Sequence, residues 1–158
     1  MRYLSWLFLA TLLLSATAGH AAQADTPAAP QAAPVGRPLP AGWLPLIGKD
    51  MRGSFIQAGS DDIALLMYKG DTDAVVIVPD PASGREIGVI HTFGDSEVNL
   101  PQLSLIKPGS YHPVCHGGGA CAPAVDIATE AIGLCHGEAS CEIIYFKDNS
   151  YHHITVTD

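Results

Sequence analysis

Short apolar runs, separated by clusters of glycine, proline, aspartate and asparagine, are the feature that most constrains the fold of this chain. Apolar runs of about four to eight residues are typical of β-strands. Turn residues at this spacing favour an antiparallel sandwich or a propeller-like sheet with short hairpins. We therefore predict a mainly β fold whose strands cover residues 63–68, 74–78, 86–93, 103–106, 127–134, 142–146 and 151–156.

The last of these runs alternates cleanly between two kinds of side chain. Ile154 and Val156 belong to one face of the predicted strand, and His153 and Thr155 belong to the other. Residues 147–150, Lys-Asp-Asn-Ser, have the composition of a tight turn. The sequence thus predicts a C-terminal hairpin with one apolar face and one polar face.

The N-terminal residues have the pattern of a secretory signal peptide. Arg2 precedes a short apolar run that ends near Leu14, and small residues follow up to Ala24. The run is too short to cross a bilayer, and no cysteine for lipid attachment lies near the cleavage site. We predict a signal peptide at 1–24 and a periplasmic or secreted protein with no membrane segment after cleavage.

Composition divides the rest of the chain into two parts. Residues 25–41 are rich in proline and alanine, which favours an extended linker. Residues 42–158 contain all the predicted strands and are numerous enough to bury a single core. We therefore predict one mainly β domain at 42–158, preceded by a Pro/Ala-rich linker.

The charge of the chain restricts its partners. With 8 basic and 16 acidic residues, its net charge at pH 7 is −8. No basic stripe is available to neutralise phosphates, so nucleic acid is excluded as a partner. An acidic surface increases solubility, and it also attracts a basic protein partner.

The four cysteines predict two disulfides, because cysteines of an exported protein are normally oxidised. They form two similar segments, with Cys115 and Cys121 in the first and Cys135 and Cys141 in the second. Pairing within each segment stabilises the fold by about 2.4 kcal/mol per disulfide in the chain-entropy model. Entropy alone leaves pairing across the segments open. The second local pair is favoured because its cysteines flank a turn between two apolar runs.

Residues 53–64 resemble the calcium-binding loop of FG-GAP-like repeats. Gly53 and Gly59 match the glycines of that loop, and Asp62 matches the acidic residue that precedes its hydrophobic strand. The positions that carry ligand oxygens in the repeats hold Ser54, Ile56 and Ala58 here. Calcium requires six to eight oxygen ligands. The resemblance therefore implies that the loop is kept in shape while its calcium site is lost.

The C-terminal half resembles a family of exported bacterial proteins. The shared features are an Ile-Lys-Pro-Gly-x-Tyr segment at 106–111, a short Cys loop, an aromatic hairpin and the terminal Asp158. Phe146 and Asn149 replace the tryptophan and glycine that this family usually has in the hairpin. Some related β proteins inhibit lysozyme-type peptidoglycan hydrolases, including immunity proteins against wall-degrading toxins.

In such inhibitors a Ser-Gly-x-Tyr loop enters the hydrolase cleft, and Pro108 replaces the first serine here. The resemblance implies that Gly109, Ser110 and Tyr111 bind a basic peptidoglycan hydrolase or another envelope protein. A rigid tyrosine and a serine hydroxyl suit a concave cleft that holds catalytic carboxyl groups. The alternative interpretation is an ordinary turn followed by a half-buried packing tyrosine.

The last third of the chain contains five histidines, which suggests copper or zinc binding as an alternative function; they are His112, His116, His136, His152 and His153. Their spacing matches no standard metal motif, so we assign no metal or cofactor. No nucleophile elbow, zinc-protease motif, phosphate loop or dinucleotide fingerprint is present, and we expect the protein not to be an enzyme. A structural envelope module with an unidentified partner is the third hypothesis.

Overall fold

A computed structural model of the protein describes residues 36–94, 101–115, 122–137 and 140–157. These residues form one 3₁₀ turn (Pro81–Ser83) and ten strands, which are β1 (Leu44–Gly53), β2 (Asp62–Lys69), β3 (Thr72–Val78), β4 (Gly88–Gly94), β5 (Gln102–Ile106), β6 (Gly109–Tyr111), β7 (Val125–Ile127), β8 (Ala131–His136), β9 (Ser140–Lys147) and β10 (Ser150–Thr157). The predicted signal peptide and most of the predicted linker lie outside the described residues. None of the described segments is a helix of the length and apolarity that a bilayer crossing requires.

The strands form two antiparallel sheets of four strands and one small ribbon. The order is β1-β2-β3-β4 in the first sheet and β10-β9-β8-β5 in the second, while β6 pairs with β7. Side chains from both four-stranded sheets pack against each other in one core. The prediction of a mainly β, antiparallel sandwich-like fold is confirmed.

The strand predictions differ from the structure in three places. The run at 127–134 is divided between β7 and β8, because residues 128–130 leave the ribbon and contact the loop before β2. The strands β1 and β6 were not predicted, and residues 109–111, which form β6, were expected to be a loop or turn. β1 is an edge strand in which Pro45 interrupts the apolar residues, and its second half, from Gly48 to Gly53, is mainly polar. A proline and a polar half with a register shift hide a strand from a search for continuous or alternating apolar runs.

The main core lies between the two large sheets. Leu66 and Ile77 from the first sheet pack against Ile132, Leu134 and Ile144 from the second. The opposite face of β2 and β3 is also buried, beneath Leu39, Trp43 and Ile87 from the segments that flank the sheet. Burial on both faces explains why these two strands are continuous apolar runs rather than alternating ones.

The C-terminal hairpin has the predicted turn and the predicted alternation. Lys147 pairs with Ser150, and Asp148 and Asn149 have φ values of 49° and 63°. Two consecutive positive φ values are typical of the type I′ turn that joins closely paired strands. Along β10, Ile154 and Val156 pack on the outer face of the sheet. His153 is therefore on the inner face, between the sheets.

The predicted Cys135–Cys141 disulfide is confirmed. These cysteines are directly opposite each other on β8 and β9, and their Cα atoms are 4.1 Å apart. The bond closes the hairpin at the end nearest its turn. The other predicted pair includes Cys121, which lies outside the described residues.

Candidate functional site

The loop that resembles a calcium site is organised around the carboxylate of Asp62, which is fully buried. The backbone N–H groups of Phe55 and Ile56 both donate to Oδ2 of Asp62 over 2.9 Å. The Ser60 hydroxyl donates to the same oxygen over 2.6 Å, and the backbone N–H of Asp80 donates to Oδ1 over 2.8 Å. Four donors from the protein itself thus surround this carboxylate. Its role in the loop is to hold the backbone on both sides of it.

Glu130 connects this loop to the segment that was predicted to bind a partner. Its Oε2 accepts a hydrogen bond from the backbone N–H of Ser54 over 2.9 Å, and its Oε1 accepts one from Lys107 Nζ over 2.7 Å. The hydrogen bond from Lys107, followed by that from Ser54, lowers the pKa of Glu130. Lys107 directly precedes the turn into β6, so Glu130 holds the base of that strand.

The predicted binding residues Gly109, Ser110 and Tyr111 together make up β6. Gly109 and Ser110 are exposed, whereas Tyr111 is half-buried and its ring packs against the apolar cluster on the outer face of the second sheet. The Tyr111 hydroxyl donates a 2.6 Å hydrogen bond to the backbone carbonyl of Lys107. The structure therefore presents Gly109 and Ser110 to solvent and fixes Tyr111 beneath them.

A second polar group lies between the two sheets at one end of the core. It consists of His91 on β4, Glu142 on β9 and His153 on β10, whose ligand atoms all lie within 4.8 Å of one another. Each is directly opposite a buried core residue in its sheet: Val75, Leu134 and Ile144 respectively. Since paired residues share a face of the sheet, all three side chains belong to the inner surface of the sandwich. We call this group the inter-sheet cluster.

Within the inter-sheet cluster, Nε2 of His91 lies 3.3 Å from Oε2 of Glu142. Oε2 is buried, yet it accepts no hydrogen bond from any of the described residues. The rings of His91 and His153 meet edge to face, with their centroids 5.1 Å apart. Burial lowers the pKa of His91, and the nearby carboxylate of Glu142 opposes that shift. Burial therefore favours the neutral form of the His91 imidazole, while Glu142 favours its protonated form.

Two irregularities in the strands surround the inter-sheet cluster. In β4, the pairing shifts between His91, opposite Val75, and Val89, opposite Val76. In β10, the pairing shifts just beyond Thr155, which is opposite Glu142. Bulges of this kind redirect side chains, and they are over-represented beside functional sites.

A small pocket lies at another part of the inner surface. It has a volume of about 190 Å³, and its lining includes Arg85, Ile90 and Tyr151. The Arg85 guanidinium lies 4.8 Å from the centre of the Phe146 ring and contacts the side chain of Asn149. The Tyr151 hydroxyl is buried without a hydrogen-bond partner among the described residues, and this burial raises its pKa.

The structure separates the histidines of the predicted alternative metal site. His152 lies on the outer face of β10, where its ring stacks on Tyr145 at 5.5 Å. His112 is exposed, and the ring of His136 packs against Phe93 at 5.0 Å. His116 lies outside the described residues. Of the predicted set, His153 alone among the described histidines belongs to the inter-sheet cluster.

Neither His91 nor Glu142 was predicted to be a site residue from the sequence. Both are polar residues at inward positions of strands, where the surrounding residues are apolar. A polar residue at an apolar position is the sequence feature that could have identified them.

Comparison of the chain with protein-family models, curated proteins and solved structures found no match in any of the three.

Proposed function

We propose that this protein is exported and inhibits a lysozyme-like peptidoglycan hydrolase, with Gly109 and Ser110 as the residues that enter the enzyme's cleft. The observation that supports the proposal is the construction of β6. Its first two residues are exposed, and its third residue is fixed by ring packing and by a hydrogen bond to Lys107. A rigid and exposed segment loses little conformational entropy on binding.

The contacts on either side of β6 add to this rigidity. Lys107 forms its ion pair with Glu130, and Val114 donates a 2.8 Å backbone hydrogen bond to the carbonyl of Thr155. In this arrangement the hydroxyl of Ser110 donates to a carboxyl group of the hydrolase. Tyr111 holds the turn in its binding shape, and its hydroxyl oxygen remains able to accept a hydrogen bond from the partner.

The charge of the chain favours a basic target. Its net charge of −8 attracts an enzyme with a basic surface and increases the rate of association, particularly at low ionic strength. The partner in this proposal is therefore a basic hydrolase whose cleft contains acidic catalytic groups.

A cell-wall lysis assay tests the proposal. The oxidised mature protein is titrated into a panel of lysozymes and into any hydrolase encoded beside its gene, and we expect stoichiometric inhibition of at least one enzyme. Ser110→Arg should abolish that inhibition, because it places a large cation in the contact. Thr72→Arg, at an exposed position of β3, is the control and should inhibit as well as the wild type. No inhibition by the wild-type protein, or full inhibition by Ser110→Arg, would contradict the proposal.

A further inference from the structure

We propose that the inter-sheet cluster is a zinc site in which His91, Glu142 and His153 are the protein ligands. This inference goes beyond the proposed inhibitor function and does not depend on it. The inter-sheet cluster lies on the inner face of the second sheet, whereas Tyr111 packs on the outer face of the same sheet.

The distances suit a metal ion after a small adjustment. A tetrahedral zinc site, with bonds of about 2.0–2.1 Å, separates its ligand atoms by roughly 3.3–3.4 Å. The nitrogen of His91 and the oxygen of Glu142 are already 3.3 Å apart. The widest separation in the inter-sheet cluster is within 4.8 Å. His153 is exposed, so its side chain has room to change rotamer when an ion binds.

The buried oxygen of Glu142, which accepts no hydrogen bond from the described residues, is the second observation that points to a cation. Buried carboxylate oxygens normally accept hydrogen bonds, because an unsatisfied one is costly. Oε2 of Glu142 is buried and accepts none from the described residues, although an imidazole nitrogen lies beside it. A metal ion bound between these two atoms satisfies both of them at once.

The donor set favours a transition metal over Ca²⁺ or Mg²⁺, and zinc is the ion that we propose. Two imidazole nitrogens and one carboxylate oxygen are typical ligands of Zn²⁺, whereas Ca²⁺ and Mg²⁺ require oxygen ligands. Three protein ligands leave a fourth position for water. His136 on the neighbouring strand β8 is close enough to interact electrostatically with His91. The cysteines at the adjacent end of β8 and β9 are joined in a disulfide and are not ligands.

Zinc at this position joins the two sheets directly, through side chains of their strands. His91 is on β4, the edge strand of the first sheet, while Glu142 and His153 are on the C-terminal hairpin of the second. Because the ion binds only the folded arrangement, it stabilises the sandwich by mass action.

The test is calorimetric titration of untagged, oxidised mature protein with ZnCl₂, after dialysis against a chelator. We expect one zinc ion per chain, and each of the variants His91→Gln, Glu142→Gln and His153→Gln should weaken binding about tenfold or more. His152→Gln is the matched control, because His152 is adjacent to His153 but lies on the opposite face of β10. It should bind zinc as the wild type does.

Circular dichroism of each variant establishes that it is folded before titration. Substitution with Co²⁺ gives a second readout, since a four-coordinate site produces intense visible absorption that the three ligand variants should lose. The proposal is overturned if the folded wild type binds no stoichiometric zinc, or takes up Cu²⁺ but no Zn²⁺. It is also overturned if His91→Gln and His153→Gln bind as tightly as the wild type.

Discussion

Asp62 and Glu142 are both carboxylates on strands of the sandwich, but their surroundings differ. Asp62 accepts hydrogen bonds from three backbone N–H groups and one hydroxyl. Glu142 has a buried oxygen that accepts no hydrogen bond from the described residues and faces two imidazole rings. The number of donors that the chain itself supplies distinguishes a carboxylate that holds a loop from one that is available to a ligand.

The carboxylate that lies in a metal-loop-like sequence is not the one that is available to a metal ion. Asp62 belongs to the segment that resembles a metal loop, yet its oxygens are already engaged by the protein. Glu142 belongs to no recognisable motif, yet it lies 3.3 Å from an imidazole nitrogen. Variants of the two carboxylates and of the residues around them test this contrast.

Asp62→Ala should destabilise the protein most. The substitution removes the acceptor for four donors, and several of these donors are then buried without a partner. We expect the free energy of unfolding to fall by about 3–5 kcal/mol. Urea unfolding measures this loss.

Asp61→Ala is the matched control for Asp62→Ala. Asp61 forms an ion pair with Arg52 in which the two side chains are 68% and 57% exposed. Exposed pairs of this kind contribute about 0–1 kcal/mol. Equal losses in the two variants would show that the Asp62 hydrogen bonds have no special importance for the loop.

Replacement of both Cys135 and Cys141 by serine should have an intermediate effect. This disulfide closes a short loop between paired strands, and its loss should reduce the free energy of unfolding by about 2.4 kcal/mol in the chain-entropy model. Urea unfolding of the double variant under oxidising conditions measures the change. A loss below about 0.5 kcal/mol would show that the hairpin is held by its backbone pairing and core contacts alone.

The pH dependence of stability should report the buried imidazole of His91. Burial lowers the pKa of His91 in the folded protein, so the unfolded chain binds more protons as the pH falls. The metal-free protein should therefore lose stability as the pH decreases through about 6.5, the ordinary pKa of histidine. His91→Gln should lose less stability over the same interval in thermal unfolding. Identical pH profiles would contradict this assignment.

Tyr151→Phe should have the smallest effect. The Tyr151 hydroxyl is buried without a partner among the described residues, so its removal should leave stability unchanged or raise it by up to about 1 kcal/mol. Tyr111→Phe is the contrasting control, because it deletes the hydrogen bond to the Lys107 carbonyl and should cost about 1 kcal/mol. A clear loss of stability in Tyr151→Phe would reveal a hydrogen bond to that hydroxyl.

The sequence predicted the parts of the fold that depend on local patterns. Short apolar runs identified most strands, and the Asp148-Asn149 turn was recognised by its composition. The Cys135–Cys141 pair was favoured because its cysteines flank a turn between two apolar runs. The edge strand β1 was missed because Pro45 interrupts its apolar half and its other half is mainly polar, with a register shift between the two.

The inter-sheet cluster could not be predicted from local sequence patterns. His91 is in the first sheet, while Glu142 and His153 are in the second, so their proximity depends on how the two sheets pack. The bulge beside His91 also changes the direction of its side chain in a way that strict alternation does not predict. The histidines nearest to one another in sequence, His152 and His153, are on opposite faces of the same strand.

Crystals of the oxidised protein grown with one equivalent of zinc test the contrast between the two carboxylates most directly. An anomalous difference map recorded at the zinc absorption edge locates the ion without assumptions about the ligands. We predict one peak between His91, Glu142 and His153, and none at the loop of Asp62. A peak beside Asp62, or no peak at the inter-sheet cluster in protein that remains folded, would contradict the account.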